Sequence, residues 1–403
     1  MWTLKPAFAN KAKVASLRLP EGRPRRRMDV PVVIGKKVGW NRRGSVSKAG
    51  AGGWRGKFAE RSFTRRPRRN TEGMRIYRSI HFSVFPGEAD ELGAWHCLIS
   101  HQAAKDEGLN ESSDMAKVRI GISGWTYPPW RGVFYPEKWP QKRELEYASR
   151  KVNSIEINGT FYSLQRPESF NAWAEATPED FVFTVKGGRF ITHIRRLKEV
   201  DGALANFFAS GVLRLGEKLG PILWQLPPNF QYDRERLEAF FRLLPRDTTT
   251  AVRLAKKHDD RMKGRVWARA EGNRRVRHAM EVRHASFENE EFIAQLREHD
   301  VALVIADTAG KWPFMEDVTS DFVYLRLHGD GKLYESGYTD EALKTWERKI
   351  RAWAAGKTPA DAKLAGSKKV TGKGKREVLV YFDNDVKVHA PFDAMKLAAA
   401  LNG

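Results

Sequence analysis

The residues best equipped for chemistry in this chain stand at the ends of short apolar runs. Glu156 and Asn158 close one run; Lys186 closes the next, with Gly187-Gly188-Arg189 and Thr192-His193 behind it. Gln225 ends a third, Glu281, Arg283 and His284 a fourth, Asp307 a fifth, Arg326 and His328 a sixth, and Asp383-Asn384-Asp385 the last. A strand buried on both faces is apolar throughout, so a charge at its end demands a reason. Lys186, Arg189, Arg283 and Arg326 are cations suited to phosphate or carboxylate, and Gly187-Gly188 permits close backbone approach. Glu156, Glu281 and Asp307 are proton-transfer candidates; His328 is an electrophile or, together with them, a ligand for one divalent metal. The metal is the weaker alternative, because an arginine beside each carboxylate competes for the same lone pairs, and no metal ligand is assigned. Asn158, His193, Gln225 and Asn384 complete the set as substrate contacts. The competing reading is an ion-pair layer that satisfies itself and only plugs the mouth of the fold.

Something must bring residues spread over more than two hundred positions together. After Met115, strand-like runs at 118–123, 153–158, 181–186, 221–226, 279–283, 301–307, 322–328 and 378–383 alternate with helix-like segments, the pattern of a parallel sheet. Thr339 is placed to cap a helix whose Leu343, Trp346, Ile350 and Trp353 form one stripe and which Gly356 closes. Asp233 caps a second helix, with Leu237, Phe240, Phe241 and Leu244 facing inward before Pro245. Eight βα units over 118–403 predict a closed (β/α)₈ TIM barrel rather than an open doubly wound sheet. The turn after the first run, Gly121-Ile122-Ser123-Gly124-Trp125, lacks the dinucleotide spacing. In a barrel all strand C-termini share one rim, so the polar ends meet in one concavity. Insertions at 255–277 and 364–376 enter strands at the opposite rim. Aromatic residues are dense at Trp125, Tyr127, Trp130, Phe161, Tyr162, Trp224 and Tyr334; most of them read as packing, while those directly after the first two strands are placed to line a ring-binding pocket.

The net charge of +22 does not belong to that barrel. Residues 1–78 carry 22 Lys and Arg against four acids, which leaves four net positive charges for everything else. Residues 1–114 show no sustained period of 2 or 3.6 and read as a basic, low-order extension ahead of a 115–403 barrel domain. The alternatives are an arm that grips phosphates with Trp40 and Trp54 stacking on bases, an organelle-targeting peptide, and an upstream stretch preceding a true start at Met115. One cysteine, Cys97, excludes an internal disulfide, and no apolar run approaches the roughly 20 residues needed to span a bilayer. A cytoplasmic protein with no membrane partner is expected. Neither a P-loop nor an acyl-transfer nucleophile motif is present, and the cofactor is left unspecified.

The order of the motifs resembles a known family. Gly121-Ile-Ser-Gly-Trp-Thr-Tyr127, Glu156-Ile-Asn-Gly-Thr-Phe-Tyr162, Gly220-Pro-Ile-Leu-Trp-Gln-Leu-Pro-Pro228, Glu281-Val-Arg-His284, Tyr324-Leu-Arg-Leu-His-Gly329 and Tyr381-Phe-Asp-Asn384 are similar to the YecE-like domain-of-unknown-function family over 118–403. The resemblance implies a TIM barrel and no particular reaction. A distant likeness of that family to endonuclease IV-type barrels would suggest DNA, but this chain offers only His193, His284 and His328 near the rim, against the about five histidine ligands of such metal sites. The expected function is therefore an enzyme acting on a small anionic substrate by acid/base chemistry, with a nucleic-acid-binding barrel as the alternative. On this view Arg283→Ala or Arg326→Ala leaves the barrel folded and abolishes anion binding; unfolding instead marks a structural plug.

Overall fold

The computed structural model describes residues 116–366 and 374–403. The basic stretch 1–114 with Trp40 and Trp54, Cys97, Met115 and the centre of the insertion before the last strand lie outside the described residues. Within them, eight parallel strands close on themselves in chain order. They are β1 (Val118–Ser123), β2 (Ser154–Ile157), β3 (Val182–Lys186), β4 (Leu219–Gln225), β5 (His278–Glu281), β6 (Val301–Asp307), β7 (Phe322–Leu327) and β8 (Glu377–Phe382). β1 pairs with both β2 and β8, so the sheet has no edge. This is the expected (β/α)₈ barrel, each strand lying within two residues of its expected bounds.

Residues two apart share a face of a strand, and here the two faces pack into two separate cores. Outward-facing Ile120, Ile155, Val185, Trp224, Met280, Ile305, Leu325 and Val380 meet the helices in one large apolar layer. Inward-facing Leu223, Ala279, Ala302, Val304, Ala306, Tyr324, Leu379 and Tyr381 fill the barrel in a second. Tyr324 and Tyr381 need room inside, and Gly121 supplies it. A Cβ at Gly121 would stand 2.1 Å from the Ser154 carbonyl oxygen and 3.1 Å from the Tyr381 ring. Above this apolar plug the inward face turns polar.

Two helices start at the expected caps, Asp233 and Thr339, and a third uses Asn289 in the same way. Asp233 accepts from Arg236 N at the head of Arg234–Leu243, Asn289 from Phe292 N before Glu290–Glu298, and Thr339 from Ala342 N before Asp340–Ala354. Gly356, at φ 77°, ends the last of these. The sixth βα unit departs from the expected pattern, since 308–321 contains no helix. Trp312-Pro313 interrupts any helical run there. The segment is held by its acids instead: Glu316 accepts from Lys349 Nζ at 2.6 Å and Asp317 accepts from the backbone N–H groups of Ala365 and Gly366. A neighbouring helix and the start of the insertion thus hold the segment that follows β6.

Candidate functional site

Directly above the apolar plug lies a layer of charge sealed from solvent. Arg326, inward-facing on β7 two residues after Tyr324, is fully buried. Its Nε and Nη2 donate to the two oxygens of Glu156 at 3.1 and 2.9 Å, Nη1 donates to Glu281 Oε2 at 2.7 Å, and Nη2 also reaches Asp383 Oδ2 at 2.8 Å. Glu156 accepts further from Ser123 Oγ at 2.9 Å and from the Tyr324 hydroxyl at 2.6 Å. Both glutamates are fully buried. Every nitrogen of Arg326 is therefore engaged by the protein, and neither oxygen of Glu156 is without a protein partner. His328, also fully buried, places Nδ1 3.0 Å from Asp383 Oδ2.

The cavity opens above this floor, with a volume of about 620 Å³ and Tyr127, Asn158, Phe161, Lys186, Arg189, His193, Gln225, Arg283, Tyr334, Asp383 and Asp385 on its walls. Lys186 ends β3, and its ammonium lies 4.7 Å from the centre of the Phe161 ring with no hydrogen bond or ion pair among the described residues. Arg283 is clamped but not used up. Its guanidinium stacks on Trp312 at 3.8 Å, Nε donates to Glu281 Oε1 at 2.6 Å and Nη2 to the Tyr334 hydroxyl at 3.3 Å, so Nη1 remains. Arg189 stands exposed at the edge. His193 is held by Thr192 Oγ1 at 2.9 Å and by an edge-on contact with Phe161, inside a short π-helix, Phe190–Ile194. Asn158 Oδ1 and Asp385 Oδ1 are buried without a hydrogen-bond partner among the described residues. Acceptors buried in this way are satisfied by solvent or by a ligand.

The electrostatics separate the acids. Burial alone would raise Glu281 and Asp383, but Arg283 and Arg326 hold the first, and Arg326 and His328 the second, below the ordinary carboxylate range. Asp385 has no such cation in contact. Burial and the charge of Asp383 push it up to about 7. Burial and the nearby Arg326 charge lower Lys186 to about 8, while burial, Lys186 and Arg283 lower His193 to about 4. His328 is likewise depressed by burial and Arg326. One carboxyl and one amine of the same cavity thus titrate near neutrality.

Two of the residues expected at the mouth are elsewhere. Asp307 follows inward-facing Ala306 and so points outward, where it accepts from the Tyr338 hydroxyl at 2.9 Å and lines a separate cavity of about 600 Å³. Asn384 follows outward-facing Phe382 by two and donates to Ser336 O and Asp393 Oδ2, both at 2.9 Å. His284 caps a short turn through Ser286 N. Asp383 and Asp385, which flank Asn384, are the members of that run that face the cavity, and the alternation of β8 was the signal for them.

A closed parallel barrel whose strand ends gather a buried ion network beneath a polar cavity defines a TIM-barrel protein with a concavity at its C-terminal rim. The family model "Protein of unknown function DUF72" matches residues 119–403, and the chain belongs to that family. The UPF0759 protein YecE of Escherichia coli (strain K12) is 30% identical over 113 residues, 28% of this chain and 39% of that protein. The UPF0759 protein YunF of Bacillus subtilis (strain 168) is 26% identical over 125 residues, 30% of this chain and 43% of its own length. The chain thus matches about two-fifths of these curated relatives. The crystal structure of a DUF72 family protein from Thermotoga maritima MSB8 superposes with a TM-score of 0.55 at 24% identity, covering 71% of this chain and all of that one. A second, from Enterococcus faecalis V583, gives 0.52 at 18% identity over 71% of this chain and 96% of that one. These likenesses show a shared fold. Among the described residues no helix is long and apolar enough to cross a membrane.

Proposed function

We propose that the protein is an enzyme that binds a small phosphate- or carboxylate-bearing substrate in the barrel mouth and acts on it by acid/base chemistry. The observation that carries this reading is the pair of uncommitted cationic donors, Lys186 Nζ and Arg283 Nη1, on the wall of one cavity. A desolvated cationic donor with no acceptor in hydrogen-bonding reach is costly, and an anionic ligand that accepts from it offsets that cost. Arg189 adds charge at the entrance, and Asn158, His193 and Gln225 supply neutral polar contacts. The proton-transfer role moves from Glu156 and Glu281 to Asp385, because the first two are saturated by arginines whereas Asp385 keeps a free oxygen and titrates at about 7. Glu156, Glu281, Arg326 and His328 become positioning residues that hold Arg283 and Asp383 in place. A volume of about 620 Å³ suits a metabolite better than a polymer backbone.

The reading is tested by calorimetric titration of the full chain with inorganic phosphate, beside Arg283→Ala. One saturable site that the substitution weakens about tenfold or more, the worth of one charge-assisted hydrogen bond, supports it. Diffuse uptake that is identical in both proteins and vanishes with salt assigns the phosphate to the basic N-terminal residues and refutes it.

A further inference from the structure

We infer that Lys186 forms a Schiff base with the carbonyl group of a small substrate that also carries a carboxylate or phosphate. The inference rests on the anion-binding reading above and adds the reactive group of the substrate.

A lysine becomes a nucleophile when its amine is desolvated, lies near another positive charge and is not tied up by a carboxylate. Lys186 meets all three conditions. Its side chain is about nine-tenths buried, it sits in the field of Arg326, and of its near neighbours Glu156 and Glu281 have given both oxygens, and Asp383 its Oδ2, to Arg326 and Arg283. The Phe161 ring, its centre 4.7 Å from the Lys186 nitrogen, neither donates to nor accepts from it in a conventional hydrogen bond and leaves the lone pair free once the ammonium has lost a proton. Consistent with this, the amine titrates at about 8, so a usable fraction is neutral at physiological pH.

The root of the side chain is fixed as well. The Lys186 carbonyl accepts from Thr160 Oγ1 at 2.7 Å, and Gly187 N donates to Leu223 O at 2.8 Å. Gly187 lies so flat against Trp224 that a Cβ there would stand 2.3 Å from the indole, which explains the glycine directly after the lysine. The amine is therefore presented from a rigid strand end into the cavity.

In the proposed step the neutral Lys186 amine attacks the carbonyl carbon, the C=O π pair moves to oxygen and that oxygen takes up a proton, giving a carbinolamine. The nitrogen loses a proton, and the hydroxyl leaves as water with a proton supplied by Asp385, which the same cavity holds near its titration midpoint. The proton that leaves nitrogen matches the one the oxygen first takes up, so the sum is one protonated imine, one water and one ionised Asp385 from one neutral amine, one carbonyl and one protonated Asp385. The iminium withdraws electrons from the adjacent carbon, and the ionised Asp385 is then the base for a proton there. Arg283 and Arg189 face the carboxylate or phosphate.

Pyridoxal 5′-phosphate, an aldehyde with a phosphate, is the probe. The full chain is treated with less than one equivalent at pH 7.5, reduced with sodium borohydride and mapped by peptide mass spectrometry, with and without excess inorganic phosphate. Lys186→Arg and Lys186→Met run in parallel, with circular dichroism reporting that each is folded. The proposal expects Lys186 to be labelled at least about tenfold faster than any other lysine, as its lower amine pKa dictates. Phosphate should suppress that labelling, and both variants should lack the visible imine band. Labelling spread over other lysines while phosphate still binds saturably overturns the Schiff base and leaves the anion site standing. If neither occurs at the mouth, both readings fall together.

Discussion

The floor of the barrel mouth and the cavity above it are built from the same residue types, a few ångströms apart, and behave as opposites. On the floor every charge has its partner: Arg326 is surrounded by Glu156, Glu281 and Asp383 at 2.7 to 3.1 Å and sees no solvent. In the cavity Lys186 has only an aromatic face, Arg283 keeps one free nitrogen and Asp385 one free oxygen. The lesson is that a buried charge announces function through what it lacks. The Arg326 network is a foundation; the uncommitted donors and acceptors above it mark the place where something else binds.

The sharpest way to break this division is at its foundation. Arg326→Ala strips buried Glu156 of its cation and Glu281 and Asp383 of one partner each, and should cost about 3–5 kcal/mol in urea denaturation, a loss that added salt barely changes because Arg326 and both glutamates are dry. A folded, equally stable variant would make the floor part of the binding site after all, as the sequence suggested. Next in size, Arg283→Ala should stay folded and lose about tenfold or more in phosphate affinity, an effect that weakens with salt. A fall in stability as large as that of Arg326→Ala would move Arg283 to the foundation.

Asp385 sharpens the comparison through pH. Because its folded carboxyl is raised to about 7, the folded chain keeps a proton there that the unfolded chain releases at ordinary carboxylate pH. Its contribution to stability is present at low pH and is lost as pH climbs toward 7. The midpoint temperature of Asp385→Asn should therefore gain on the parent between pH 5 and about pH 7.5, by thermal denaturation across that range; a constant gap would mean the carboxyl is not raised. The smallest effect belongs to Asp307→Asn. Facing the other cavity, it should leave phosphate affinity unchanged, and a measurable loss would contradict its outward placement.

Most of the barrel was legible because its signals are local. Strand ends, the caps Asp233 and Thr339 and the closing Gly356 each depend on a few neighbouring residues, and all fell where their chemistry put them. The missing helix after β6 was not, because its replacement comes from Lys349 and the backbone near Gly366, far along the chain. For the site, strand alternation carried more information than residue type. Glu156 and Asn158 share the inward face with Ser154, and Arg326 and His328 with Tyr324, whereas Asp307 and Asn384 fall on the opposite parity to Ala306 and Tyr381. Applied to β8, the same rule selects Asp383 and Asp385. What no pattern in the sequence reveals is saturation: that every nitrogen of Arg326 finds a partner while the Lys186 amine finds none among the described residues is a property of packing alone.

The account stands or falls on whether the cavity above the floor takes an anion. Anomalous diffraction from a crystal soaked in tungstate, a heavy tetrahedral stand-in for phosphate, locates such a site directly. The expected map has its strongest peak at the mouth, within hydrogen-bonding reach of Lys186 Nζ and Arg283 Nη1, with the Arg326 network unmoved beneath it. Peaks confined to the outer surface, with the mouth filled only by water, would contradict it.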